Sequence, residues 1–183
     1  MGPLVSARSK VFKVILLGEG GVGKTSIVLR YTEDRFDESM KMTIGVNLAT
    51  KKVMVGDSAI TLLMWDLGGQ PRFRDVVTDY YRGSRLAVAV FDAARPFTMY
   101  NLDDWIGRLK EVVPTCELFI VANRIDQRPP GSGVPTEEGQ EYACRLGARY
   151  YETSAKTGEG IQEAFQEMAD FLTEKHLKDR EEI

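Results

Sequence analysis

Residues 18–25 read GEGGVGKT. Glycines at this spacing let successive backbone N–H groups turn to one side, where they can surround phosphate oxygens. A helix starting directly after the turn adds the partial positive charge of its N-terminus. Lys24 can reach the outer phosphates as a point charge, and the Thr25 hydroxyl suits a Mg²⁺ ion. This P-loop pattern implies a nucleoside triphosphate and by itself nothing finer.

Two further groups narrow the chemistry. Residues 66–70 (DLGGQ) follow the strand-like run 60–65. A carboxylate at Asp66, at a strand end beside a P-loop, suits Mg²⁺ through a water. Gly69 lets a backbone N–H approach a γ-phosphate. Gln70 can orient an attacking water, because its amide both donates and accepts. Residues 123–126 (NRID) and 153–156 (TSAK) each end a later strand-like run. The Asp126 carboxylate can accept two hydrogen bonds from guanine N1 and its exocyclic amine, a donor pair that adenine lacks. Buried polar partners left unsatisfied by the wrong base are a strong source of discrimination. The Ala155 N–H can donate to guanine O6. Taken singly, these segments also read as a glycine-rich βα turn, a capped loop, a charged loop and a helix-capping turn. Their occurrence at successive strand ends favours one shared site.

The elements that must position them alternate. Residues 11–17 (VFKVILL) form a short apolar run ahead of the glycine turn, and a helix is predicted over about 24–31. Residues 46–55 and 60–66 are strand-like, with Gly56-Asp57 as a hairpin turn. The runs 86–92 (LAVAVFD) and 117–123 (ELFIVAN) suit central parallel strands buried on both faces. Between them Leu102, Trp105, Ile106, Leu109 and Val113 share a helical stripe. A second helix is predicted over about 137–146 and stops at Gly147. A last one carries Ile161, Ala164, Phe165, Met168, Phe171 and Leu172. Residues 127–135 read as a surface loop. Such alternation implies a mainly parallel sheet covered by helices on both faces, with ligands beyond the carboxyl ends of its strands.

Composition agrees with one soluble globular domain: 183 residues, 43% apolar, 28% charged, net charge −3. The slight acidity argues against a nucleic-acid binder. Cys116 and Cys144 are expected to be reduced, mostly buried thiols, and His176 to face water without a role. No secretory signal is evident. Gly2 and Ser6 match an acylation pattern formally, and Pro3 argues against its use.

The P-loop, the DxxGQ segment, NRID and SAK, in this order and spacing, resemble the Ras-like small GTPases over about residues 11–175. The Thr43-Ile44-Gly45-Val46 segment, Trp65-Asp66, Arg72-Phe73-Arg74 and Tyr80-Tyr81-Arg82-Gly83 bring the likeness nearest the Rab branch. The resemblance implies a three-layer α/β/α P-loop NTPase G domain, its six-stranded sheet mostly parallel with one antiparallel edge strand. Residues 1–10 and 176–183 would be tails. It further implies that Thr43 binds Mg²⁺ and γ-phosphate in the GTP state. By the same likeness Phe36 packs against the guanine, and Gly20 is a P-loop glycine compatible with stimulated hydrolysis. Four departures stand out. Arg124 replaces the lysine along the base, Leu67-Gly68 is Arf-like, Pro71 replaces a glutamate, and the given chain ends without a cysteine for prenylation.

The expected catalytic set is Gln70, Lys24, Gly69 and Thr43. GTP or GDP would be bound by Gly20, Gly21, Val22, Gly23, Lys24, Thr25, Ser26, Phe36, Thr43, Gly69, Asn123, Arg124, Asp126, Ser154, Ala155 and Lys156. Mg²⁺ would be held by Thr25, Thr43 and Asp66. The function this implies is a GTP-hydrolysing switch in vesicle trafficking or signalling. Segments 33–45 and 67–80 would meet effectors, exchange factors and activating proteins. Met40 and Met42 are either adaptable partner contacts or simple loop apolars. A cytoplasmic monomer, peripheral at membranes through partners and binding no nucleic acid, completes the expectation. The rivals are a P-loop ATPase or kinase, and a guanine-nucleotide scaffold that does not hydrolyse.

Overall fold

In the computed structural model, which describes residues 10–70 and 77–181, the first apolar run forms strand β1 (Lys10–Leu17). Helix α1 (Lys24–Glu33) follows the glycine turn and ends in a left-handed cap at Asp34, φ 50°. The chain then runs through β2 (Val46–Val55), β3 (Ser58–Leu67), β4 (Leu86–Asp92), the short α2 (Phe97–Tyr100) and α3 (Leu102–Val112). It closes with β5 (Glu117–Asn123), α4 (Thr136–Arg145), β6 (Arg149–Glu152) and α5 (Ile161–Glu181). The sheet order is β2-β3-β1-β4-β5-β6. All pairs are parallel except the β2–β3 hairpin, which makes β2 the antiparallel edge, as expected.

Alternation along the central strands divides the core. In β1, Val14 and Leu16 face one side, Ile15 and Leu17 the other. The first set packs with Ile27, Val28 and Tyr31 of α1 and with Phe165 and Met168 of α5. The second packs under Trp105, Ile106 and Leu109 of α3 and Tyr142 of α4. Burial of each such side chain contributes on the order of 1.5–3 kcal/mol, so two helices on each face make the sheet a closed middle layer. Every residue of β4 is buried, which its uninterrupted apolar run anticipated.

Register sets the site. Leu16 pairs with Asp66, Leu17 with Ala89, Asp92 with Asn123, and Ala122 with Glu152. The ends of β1, β3, β4, β5 and β6 therefore stand on one edge, and each sequence motif starts there.

Several expectations change. Cys116 is buried, but Cys144 is exposed, because it lies on the outer face of α4. His176 does not simply face water: its ring meets Phe12 edge-on at 5.8 Å, since α5 continues across β1 to Glu181. Val113 lies just past the end of α3, half-buried rather than on its helical stripe. The helix α2 and the 3₁₀ turns Thr78–Tyr81 and Ile125–Gln127 had no sequence expectation. The readings made on Gly2, Pro3, Ser6, Pro71, Arg72, Phe73 and Arg74 lie outside the described residues. No helix among the described residues is long and apolar enough to cross a membrane.

Candidate nucleotide site

The glycine turn is shaped by what surrounds it. Gly23 adopts φ 102°, and a Cβ there would stand 2.3 Å from Asn123 Nδ2. A side chain at position 23 would collide with the amide that fastens the turn, since Asn123 Nδ2 donates to Val22 O at 2.9 Å. Val22 contributes to the site only through this backbone, because its side chain is fully buried in the core. Lys24 is buried, and its ammonium donates to Gly18 O at 2.8 Å and Glu19 O at 2.9 Å. Burial pushes this ammonium down to about 8, against the opposing pull of the Asp66 and Glu19 carboxylates. Gly69 packs on the same loop: a Cβ there would lie 2.4 Å from Gly18 O and 2.5 Å from Lys24 Nζ. Any residue but glycine at 69 would displace the lysine.

Three oxygen-bearing side chains meet beside Lys24. Thr25 Oγ1 lies 2.6 Å from Thr43 Oγ1 and donates to Asp66 Oδ2 at 2.5 Å, while Thr43 Oγ1 donates to that oxygen at 3.4 Å. They come from the start of α1, the loop before β2 and the end of β3. Asp66 is 1% exposed, and its Oδ1 has no hydrogen-bond partner among the described residues. Burial raises its carboxyl above the usual range, opposed by the Thr25 hydroxyl and the Lys24 charge. Two hydroxyls and a carboxylate with a spare buried oxygen are the donor set of a hard cation, so the residues fit Mg²⁺. This group needs only one carboxylate. Accordingly, no cluster of three or more His, Cys, Asp or Glu suited to a metal occurs among the described residues.

A second cleft continues from the first. The phosphate-side cleft is lined by the glycine turn, Thr43, Gly69 and Gln70, the other by Phe36, Asp126 and Lys156, and both share Gly23, Ser26, Met40 and Arg124. Asp126 at the β5 end accepts a hydrogen bond from Ser154 Oγ at 2.6 Å on Oδ1. Ser154 itself is held by the Thr157 N–H at 3.1 Å. Asn123 is a tie rather than a free recognition group: its Oδ1 accepts from Thr153 Oγ1 at 3.1 Å and from the Ala155 N–H at 3.2 Å. The Ala155 N–H expected to face guanine O6 is thus turned towards Asn123. Arg124 stands at φ 63°, and its guanidinium lies 3.5 Å from the buried Asp92 carboxylate. Gly20 lies under the first loop: a Cβ there would be 3.3 Å from Met42 Sδ.

Sequence reasoning missed four residues. Arg30 of α1 donates to Ala155 O and Lys156 O, both at 2.8 Å, and holds the 153–156 turn against the helix. Glu38 reaches over the second cleft to Lys156 Nζ at 2.9 Å. Asp92 and Arg95 join β4 to the glycine turn, Arg95 Nη2 donating to Gly21 O at 3.0 Å. Only Asp92 carried a signal, as an acidic residue closing an apolar strand at the ligand edge.

The model of the Ras family matches residues 13–174. The human Ras-related protein Rab-31 is 41% identical over 154 residues, 84% of this chain and 79% of that protein. The Bos taurus Ras-related protein Rab-21 is 37% identical over 94% of this chain and 78% of its own length. The Candida albicans Ras-related protein SEC4 is 33% identical over 94% of this chain and 82% of its own.

Proposed function

The chain belongs to the Ras family of small GTPases, with Rab-type proteins among its relatives, and from that membership we propose how its own residues work. It is a GTP-hydrolysing enzyme of that family. The guanine nucleotide lies along the two joined clefts, phosphates in the glycine turn and base beside Asp126. Backbone N–H groups of Gly20, Gly21, Gly23 and Lys24 hold the phosphates, and Ser26 extends that row at the start of α1. The Lys24 ammonium moves from the loop carbonyls to the outer phosphates. Thr25, Thr43 and Asp66 would hold Mg²⁺, which would supply positive charge to offset that of the phosphates. Gln70 orients the water for in-line attack, and Gly69 offers its N–H to the γ-phosphate. Phe36 covers the base, and Arg124 lines the junction of the two clefts.

The observation that carries this reading is the Asp126 carboxylate, fixed on one oxygen by Ser154 and standing in a cleft that opens into the phosphate turn. The carboxylate so held can meet the N1 and amine donors that distinguish guanine from adenine.

The protein then acts as a switch between GTP and GDP states. Loss of the γ-phosphate removes what holds Thr43 and Gly69, and the stretches that carry these two residues loosen together. Effectors, exchange factors and activating proteins read that change. Exposed Met42, Ile44 and Leu48, at 58%, 72% and 58%, support an apolar contact surface in the first segment. Turnover without a partner is slow, and a partner arginine accelerates it by about 10³–10⁵-fold. The setting is vesicle trafficking or signalling, at membranes through partners, as a monomer.

The test measures affinity and single-turnover phosphate release for GTP, ATP and xanthosine triphosphate in parallel. Wild type prefers GTP over ATP, Asp126→Asn shifts preference towards xanthosine triphosphate, and Gln70→Leu slows release with GTP still bound. Equal affinity of wild type for ATP, or an unchanged preference in Asp126→Asn, would overturn the assignment of the base site.

A further inference from the structure

We propose that Arg95 is a positioning residue for the phosphate cradle, aimed by the buried carboxylate of Asp92, which also holds Arg124 at the junction of the two clefts. The inference rests on the guanine-nucleotide reading above and adds to it residues outside all four motifs.

Asp92 closes β4 with 1% of its surface exposed. A carboxylate so placed needs compensation for lost hydration. Its Oδ1 accepts the Ala94 N–H at 2.8 Å, and its Oδ2 accepts Arg95 Nε at 2.8 Å. Arg124 Nη1 stands 3.5 Å from the same Oδ2. One buried negative charge therefore gathers two guanidinium groups at the junction of the clefts.

The guanidinium plane converts this anchoring into direction. Because the fork is rigid, fixing Nε on Asp92 fixes where Nη2 points. That nitrogen donates to Gly21 O at 3.0 Å, across a sequence separation of 74 residues. Holding the Gly21 carbonyl outward leaves the N–H groups of the turn free to face inward on phosphate. A lysine at 95 keeps the charge, yet its single ammonium cannot span carboxylate and carbonyl as the fork does. Arg124 departs from the family's lysine in the same place. At φ 63° it has a backbone that few non-glycine residues adopt, and its guanidinium turns to Asp92. The contact to the glycine turn falls to Arg95, the arginine that the strand end supplies.

The Arg95 side chain is 37% exposed and lies 5.7 Å from the Phe97 ring centroid, so a surface ion pair with aromatic packing is the competing account. Dissociation of a fluorescent GDP from the full chain, at fixed Mg²⁺, separates the two. Arg95→Gln should raise the rate about tenfold, the usual consequence of losing one charge-assisted hydrogen bond. Arg95→Lys should recover only part of that loss, and Phe97→Ala none of the effect should reproduce. Asp92→Asn, which also releases Arg124, should raise the rate at least as much as Arg95→Gln, and adding Arg95→Gln to it should raise the rate no further, since the strut is already broken. Hydrogen exchange should show the peptide over 18–24 losing protection in Arg95→Gln while 102–112 keeps it. If Asp92→Asn does not fold, the Arg95 pair and the exchange pattern still decide. A change under about twofold in Arg95→Gln, full recovery by Arg95→Lys, or loss of protection spread over both peptides would overturn the proposal. Wild type that holds no GDP would overturn the guanine reading beneath it, whereas GDP held equally by wild type and Arg95→Gln would overturn the strut alone.

Discussion

Cys116 and Cys144 carry the same thiol into opposite surroundings. Cys116 is 1% exposed ahead of β5, and burial pushes its thiol up to about 12, with Lys110 pulling weakly the other way. Cys144 lies in water on α4. The native protein should therefore titrate one thiol per chain with an aromatic disulfide reagent at pH 8, and two after denaturation. Two fast-reacting thiols in the native state would contradict the burial of Cys116. The pH dependence follows by linkage. The unfolded thiol ionises from about 9.0, the folded one near 12, so the unfolded chain binds fewer protons across that interval. Stability contributed at Cys116 is complete below about 9 and is lost as pH rises towards 12. At about 1.4 kcal/mol per unit over about three units, the loss is at most about 4 kcal/mol. Denaturant midpoints measured from pH 8 to 10.5 should fall, and Cys116→Ala should flatten the fall.

Among the elements, α4 shows a close approach outweighing helix propensity. Gly139 lies inside the helix, where alanine is ordinarily better by about 1 kcal/mol. A Cβ at 139 would stand 2.5 Å from the Tyr150 hydroxyl and 2.6 Å from its ring. That ring cannot easily retreat, because the hydroxyl donates to Glu152 Oε1 at 2.9 Å, an oxygen also held by Arg128 and Thr136. Overpacking of this kind costs about 1–3 kcal/mol, so Gly139→Ala should destabilise by roughly 1–2 kcal/mol net. Thermal unfolding checks it, and a raised midpoint would show that α4 can slide away from β6. The elements themselves were largely legible: β4 and β5 begin and end where their apolar runs do, and β2 covers the strand-like stretch 46–55. The short α2 was not, because four residues are too few to display a helical period.

Across the whole molecule, Glu38 and Lys156 join segments that only folding brings together. The pair spans the base-side cleft at 2.9 Å, with Glu38 in the loop expected to switch and Lys156 in the turn that α1 holds through Arg30. The Glu38 hydrogen bond and charge raise the Lys156 ammonium above its ordinary value. Both groups are open to water, at 72% and 49% side-chain exposure, so the bond acts as a weak, salt-screened latch. GDP dissociation should quicken modestly in Glu38→Lys at low ionic strength and converge with wild type at high salt. The exchanged pair, Glu38→Lys with Lys156→Glu, should recover the wild-type rate. An identical rate for all three proteins at low salt would exclude the latch.

The order and spacing of GEGGVGKT, DLGGQ, NRID and TSAK were enough to indicate the family, the parallel sheet and the edge on which a nucleotide would lie. These are local patterns, and each records what one turn or strand end must do. The sequence could not say that Asn123 spends its amide on Val22 and its oxygen on Thr153 and Ala155, or that Arg124 turns to Asp92. Nor could it pair Arg95 with Gly21, 74 positions earlier. Such contacts depend on strand register and helix placement, which decide which of many polar side chains come within hydrogen-bonding reach. Burial then decides the rest, because a carboxylate removed from water binds whatever cations the fold brings to it.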